Sequence, residues 1–174
     1  MAANGWPARR QAVWRTTLLL GGLLSLVGAA PVEEFSGQVV GVADGDTISV
    51  LRDGHATTVR LVGIDAPEKR QAYGQPAKRF ASSLAFGQTV TVRVRGHDRY
   101  MRTLGEVILP DGRSLNQEMA RAGLAWWFRK YSRDPVLAHL EEEAREHHLG
   151  LWADPVPEAP WTYRSRRVRF APTP

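Results

Sequence analysis

The 174-residue sequence contains no cysteine. A disulfide scaffold, a thiolate zinc site and a cysteine nucleophile are all excluded, and stability has to come from packing alone. Excess charge of one sign is also scarce once it is counted by segment. Of 23 basic and 18 acidic residues, Arg9, Arg10 and Arg15 stand near the start, and Arg164, Arg166, Arg167 and Arg169 crowd the last eleven positions. No acidic residue accompanies either group, so Pro31 to Tyr163 keeps 16 basic against 18 acidic groups, or −2. The body of the chain is therefore no general polyanion sponge, and any affinity for nucleic acid has to come from arginines concentrated locally. Apolar runs long enough to span a bilayer are missing too, since the single candidate, Leu18 to Ala30, falls short of about twenty residues.

What is there reads as an ordinary globular domain. Hydrophobic residues make up 43% and charged residues 24%, and the length suits one core and excludes a multi-domain machine. Residues 1–30 read as a signal peptide. Three arginines precede the apolar stretch, which ends in Gly28 and Ala30 ahead of Pro31, with an uncleaved N-terminal anchor as the alternative. Either way the expected location is outside the cytoplasm, periplasmic or secreted. The domain proper is expected over 31–153, followed by a proline- and arginine-rich tail over 154–174, too polar and interrupted to build a second core.

The pattern predicts five short strands and three helices. Val39, Val42, Ile48, Val50, Val59 and Leu61 lie in segments punctuated by Asp44-Gly45-Asp46 and Arg52-Asp53-Gly54, a meander of three strands. A helix is expected over Gly74 to Phe86, with Ala77, Phe80, Ala81 and Leu84 on one face and Gly87 after it. Strands follow at Gln88 to Arg95 and Thr103 to Leu109. Ser114 is placed to cap a helix to about Ala122, and Asp134-Pro135 to start the last one, with Leu137, Leu140 and Ala144 inward. The fold class is α+β, built on a small closed sheet.

Asp44-Gly45-Asp46-Thr47 alone would be only a hairpin turn. Arg60, Asp65 and Glu68 follow closely, however, so several carboxylates and a guanidinium flank neighbouring strand ends. Carboxylates gathered there repel one another unless a cation or a guanidinium compensates them, and a hard oxygen-seeking ion such as Ca²⁺ suits them. Arg60 and Asp65 have opposite strand parity, so the chain must bend between them, and Gly63 is the expected place.

Asp44-Gly45-Asp46-Thr47, Val59 to Glu68, Asp98-Arg99-Tyr100-Met101-Arg102 and Asn116 to Leu124, in this order, resemble the staphylococcal nuclease-like (thermonuclease) family over about Phe35 to Trp152. The resemblance implies a five-stranded OB-fold barrel with three helices. It also implies a Ca²⁺-dependent phosphodiesterase that cuts DNA and RNA at the 5′ P–O bond and leaves 3′-phosphate ends. By resemblance Asp46 and Asp65 are carboxylate ligands of Ca²⁺, the Ala66 carbonyl is a third ligand, and Glu68 is the catalytic general base. Arg60 and Arg102 correspond to the phosphate-binding arginines, Arg99 and Tyr100 to contacts with the neighbouring phosphate, and Tyr131 to a tyrosine of the base pocket. Two positions depart from the family pattern. Arg129 stands where a second tyrosine would fall, and Met101 replaces a glycine whose backbone angle Met adopts only with strain. The expected partners are DNA and RNA as substrates, single strands preferred, with the chain a monomer. The competing reading is a non-catalytic OB module that binds single-stranded nucleic acid or protein.

Other signals read more plainly. His139, Glu143 and His147 recur at helical spacing, but with Glu141, Glu142 and Arg145 they read as a solvated face. His97 reads as a turn-side histidine, and Trp126, Trp127 and Phe128 read as core, with base stacking as the rival.

Overall fold

The computed structural model describes residues 1–2 and 33–169. The chain divides into two units, 1–30 and 31–174, and the elements below belong to the second. The expected signal segment over 1–30 lies almost wholly outside the described residues. Among the described residues no helix is long and apolar enough to cross a membrane.

The valine-rich alternation produces the expected meander. Strand β1 (Glu34–Asp44) pairs antiparallel with β2 (Thr47–Arg52), which pairs antiparallel with β3 (His55–Leu61). The β2–β3 connection is a two-residue turn in which Asp53 and Gly54 both have positive φ (50° and 79°), the mirror-image turn that matches strand twist. After the two-residue strand β4 (Ile64–Asp65) come helix α1 (Gly74–Ala85) and strands β5 (Thr89–His97) and β6 (Thr103–Ile108). Strand β1 is long enough to pair with β5 through Glu34–Gln38 and with β2 through its second half, and two register irregularities, at Val39/Gly41 and Val42/Asp44, bend that second half. The sheet closes as β1-β2-β3-β6-β5, with β3 and β6 parallel and every other pair antiparallel. This is the expected OB-fold α+β architecture.

Inward residues of the barrel are Val39, Ile48, Val50, Val59, Leu61, Val90, Val92 and Val107, all fully buried. Helix α1 seals one side with Ala77, Ala81 and Ala85, and α2 (Leu115–Arg121) adds Leu115 and Met119. At roughly 1.5–3 kcal/mol for each large aliphatic side chain removed from water, this shared core dominates the stability of the domain. Strand β7 (Trp126–Trp127) pairs with β4, and α3 (Pro135–Glu146) packs Leu137 and Leu140 on the same core. The Asp134 carboxylate caps α3 by accepting from the Val136 N–H at 2.8 Å. Ser114 occupies the cap position of α2 but makes no such bond, and its hydroxyl is buried without a partner.

Two features depart from the expected layout. A short 3₁₀ turn, Gly150–Ala153, follows α3, and a fourth α-helix, α4 (Pro160–Arg169), forms where only a polar tail was expected. Pro160 supplies a favourable first helical position, but Arg164, Ser165, Arg166 and Arg167 leave too few apolar residues for a helical period to show in the sequence.

Candidate active site

The two-residue turn between β1 and β2 sets the site. Gly45 lies against Ala66 and Ala77, and a β-carbon there would come within 2.8 Å of the β-carbon of each. Only glycine lets the turn seat Asp46 beneath the following loop. Asp46 is buried, and its Oδ2 accepts from the Ala66 N–H at 2.8 Å while Thr47 Oγ1 donates to Oδ1 at 3.0 Å.

The bend expected after β3 is present. Gly63 has φ +82°, and the chain turns there so that Arg60 and Asp65 face one another despite their opposite parity. Asn116, buried at the start of α2, holds this turn. It donates to the Val62 carbonyl at 2.8 Å and to the Gly105 carbonyl at 3.2 Å, and accepts from the Val107 N–H at 3.0 Å.

Arg60 is the hub. Its Nη1 donates to Asp46 Oδ1 at 2.6 Å and its Nη2 to Asp65 Oδ1 at 2.7 Å, while the Arg60 and Asp65 side chains are 17% and 0% exposed. Burial opposes the charge on Arg60, but Asp46 and Asp65 outweigh it and hold the guanidinium above its ordinary value. Burial pushes the Asp46 carboxyl up to about 6 against the pull of Arg60 and the Ala66 amide. Asp44 is raised as well, first by burial and then by the charge of Glu68. Asp44 had been read only as part of the turn, yet its Oδ1 is buried with no hydrogen-bond partner.

Glu68 stands beside this cluster, 33% exposed. Its backbone N–H donates to Gln71 Oε1 at 3.1 Å, and Gln71 Nε2 donates to the Glu158 carbonyl at 2.6 Å. The larger surprise is Arg164 of α4. Its Nη2 donates to Asp65 Oδ2 at 2.6 Å, and its Nη1 donates to Glu68 Oε1 at 2.8 Å and to Asp65 Oδ1 at 3.2 Å. Asp65 and Glu68 hold Arg164 above its ordinary value although burial opposes its charge.

Asp46, Arg60, Asp65, Ala66 and Glu68 are thus brought together. Arg99, Tyr100 and Arg102 lie in the β5–β6 turn, from which the charge of Arg102 still acts on Asp44. The Asp98 carboxylate accepts there from the N–H groups of Tyr100 and Arg102 at 2.9 and 3.0 Å, and Arg102 Nε donates to it at 2.7 Å. Burial opposes ionisation of Asp98, but these bonds hold its carboxyl below its ordinary value. Arg99 and Arg102 both lie over the Tyr100 ring, at 4.7 and 5.6 Å. Met101 has φ +61°, so the left-handed angle that glycine usually supplies is adopted here by methionine.

Tyr131 lies in a third place. With Trp126, Phe128, Arg129, Lys130, Arg145 and Trp161 it lines a cavity of about 350 Å³. The aromatic run read as core is divided: Trp127 packs on the main core, Trp126 packs on a second buried cluster of Ala144, Leu151 and Trp152 while also lining this cavity, and Phe128 lines the cavity. The solvated reading of the acidic run on α3 fails at Glu141, which is 1% exposed and bonds Arg129 Nη2 at 2.8 Å and the Trp127 N–H at 3.2 Å.

The donor set suits a hard divalent ion, since two buried carboxylates, a nearby carbonyl and the unpartnered Asp44 oxygen are all oxygen donors. Among the described residues no three carboxylate or imidazole groups converge on one point, because Arg60 and Arg164 stand between them.

An OB barrel with buried carboxylates bridged by guanidiniums at one rim defines a class of proteins by its fold and by its buried charge. The comparisons give the class its name. The model of the staphylococcal nuclease homologue family matches residues 58–154, and the chain belongs to that family. It is 49% identical over 134 residues to an Escherichia coli protein named "Uncharacterized endonuclease", covering 77% of this chain and 88% of that one. It is 44% identical over 153 residues to the E. coli protein ParB, with 82% and 86% covered. It is 42% identical over 141 residues to a micrococcal nuclease of Shigella flexneri, with 75% and 81% covered.

Proposed function

We propose that this protein is a calcium-dependent nuclease, a phosphodiesterase that hydrolyses DNA and RNA by attack of water on phosphorus. The observation that carries the reading is Arg60, whose two terminal nitrogens bridge the buried carboxylates Asp46 and Asp65 beside Glu68. Relatives named endonuclease and micrococcal nuclease support it.

In this reading Asp46, Asp65 and the Ala66 carbonyl hold Ca²⁺, which when bound supplies Lewis acidity to a phosphate oxygen. Arg60 donates hydrogen bonds that strengthen as negative charge grows on the equatorial oxygens, and Arg102 does the same from the β5–β6 turn. Glu68 orients the attacking water and takes its proton at a carboxylate oxygen, a role worth roughly 10²–10⁴ in rate for such groups. Arg99 and Tyr100 receive the neighbouring phosphate, and Tyr131 borders a cavity in which a base can stack. Cleavage is assigned to the 5′ P–O bond with 3′-phosphate products, on the family resemblance. The substrates are DNA and RNA with single strands preferred, the active form is a monomer, and the basic-then-apolar pattern of residues 9–30 supports export. Residues 31–153 form the catalytic domain in this proposal.

The test is release of acid-soluble nucleotides from single-stranded DNA with Ca²⁺, with chelator, and with Glu68→Gln. Calcium-dependent release that drops by about two orders of magnitude or more in the folded variant is expected. Release that ignores both chelator and substitution would overturn the assignment.

A further inference from the structure

Arg164 occupies the oxygens that the proposed calcium site requires. Asp65, fully buried, gives Oδ2 to Arg164 at 2.6 Å and shares Oδ1 between Arg60 at 2.7 Å and Arg164 at 3.2 Å. Three of the roughly four lone-pair sites of the Asp65 carboxylate are thus taken by guanidiniums, and an ion approaching the remaining one meets the positive charge of Arg164 directly beside it. Glu68 is held in the same way at 2.8 Å, so the guanidinium also competes for the oxygen that would take a proton from water.

The helix that delivers Arg164 is lightly attached. Among the described residues, the side-chain hydrogen bonds from α4 to the carboxylate cluster all come from Arg164. Arg166 bonds Glu158 on the approach to the helix, and Ser165 bonds the Thr162 carbonyl within it. The other anchors are at its start: Pro160 is buried, and the Trp161 ring stacks on Phe128 at 5.5 Å and meets Trp126 edge-on at 5.4 Å, yet remains 38% exposed. Trp161 and Arg164 are three residues apart and so share one face of the helix. One enters the aromatic cavity and the other reaches the carboxylates, while Ser165, Arg166 and Arg167 are exposed. The helix lies beyond residue 154, where the match to the family model ends.

We propose that α4 is a built-in competitor of the divalent ion: Arg164 and Ca²⁺ exclude one another at Asp65, Arg164 holds Glu68 at the same time, and the site loads only when the helix withdraws its guanidinium. The inference rests on the calcium-dependent reading above. A helix that reaches the cluster through a single arginine, itself 40% exposed, can be withdrawn by releasing that one side chain from Asp65 and Glu68. The protein therefore carries its own brake, and its metal affinity is set by how firmly α4 is docked. Arg164 as a further phosphate-binding group is the competing account, and it requires the same donors to leave the carboxylates they now face.

The experiment is calorimetric titration of Ca²⁺ into the full chain without nucleic acid, comparing wild type, Arg164→Ala and Trp161→Ala. Circular dichroism confirms that each variant is folded. Removing the competing charge should tighten calcium binding by about tenfold in Arg164→Ala, the scale of one unit-charge interaction at intermediate dielectric. Trp161→Ala, with Arg164 intact, should tighten it by a smaller factor by loosening the helix. Affinity in folded Arg164→Ala within about twofold of wild type, or no heat from either, would overturn the proposal. Cleavage assays on the same samples separate the two failures. Unchanged affinity with calcium-dependent cleavage retained removes the competition and leaves the nuclease reading standing, whereas no calcium binding and no cleavage removes both. A fall in turnover with unchanged calcium affinity would identify Arg164 as a phosphate-binding group and overturn the brake.

Discussion

The Ala66 N–H donates to Oδ2 of Asp46 at 2.8 Å, joining two segments twenty positions apart inside the barrel rim. That bond fixes a buried carboxylate whose proton affinity is raised, and it gives the site a measurable pH signature.

In metal-free protein, Asp46 holds its proton up to about pH 6 when folded, against an ordinary value of 3.8. The folded state therefore binds more protons than the unfolded state between those values. Its stabilising contribution is complete below about pH 4 and is lost as pH rises through 6, a change on the order of 2–3 kcal/mol. Denaturant melts in chelator should show the stability gap between wild type and Asp46→Asn falling across this window and staying flat above pH 7.

Arg60→Lys keeps the charge and loses the fork that spans Asp46 and Asp65. A compact ammonium cannot serve both carboxylates, so one is left buried without a full partner, at a cost of about 2 kcal/mol or more. Chemical denaturation should register that loss. Nuclease turnover should fall at least a hundredfold, roughly the effect of removing one oriented donor from an oxyanion site.

Met101→Gly should matter little. The left-handed angle is already present, and the Asp98 carboxylate rather than residue 101 holds the Arg102 side chain. Relief of strain and added unfolded-state entropy oppose one another, each worth about 1 kcal/mol. A melting comparison should find the two proteins nearly equal, with cleavage rates within about twofold.

Glu141→Ala removes a buried acceptor shared by Arg129, Arg145 and the Trp127 N–H. The arginines are partly exposed and can turn to water, but the amide cannot, so a loss of about 2 kcal/mol is expected. Thermal unfolding measures it, and the change in stability should exceed that of Glu142→Ala, one position along and exposed.

The sequence was most informative where local rules apply. The bend at Gly63, the parity clash between Arg60 and Asp65 that calls for it, and the valine alternation each follow from backbone sterics and strand period, and each appears in the structure. Arg164 was not legible in this way, because it lies 99 positions from Asp65 and 96 from Glu68 on a helix with little apolar patterning. Glu141 was misread because its neighbours Glu142 and Glu143 suggested a uniform polar face. Burial of one member is decided by what packs opposite, here the β7 segment and Arg129. Ser114 has the right identity for a cap but makes no bond, since residue type alone does not aim a hydroxyl.

The two seams that close the barrel join distant chain. Gln38 pairs with Thr89 and Val59 with Thr103, whereas β1, β2 and β3 meet through tight turns. Bringing such segments together costs loop entropy before any contact rewards it, so the meander forms readily and closure comes late. Arg60 is the penultimate residue of β3 on one side of the parallel seam, and Arg102 precedes β6 on the other. The two guanidiniums therefore come to one end of the barrel only after closure, and a half-folded chain, whatever its helix content, does not bring them together.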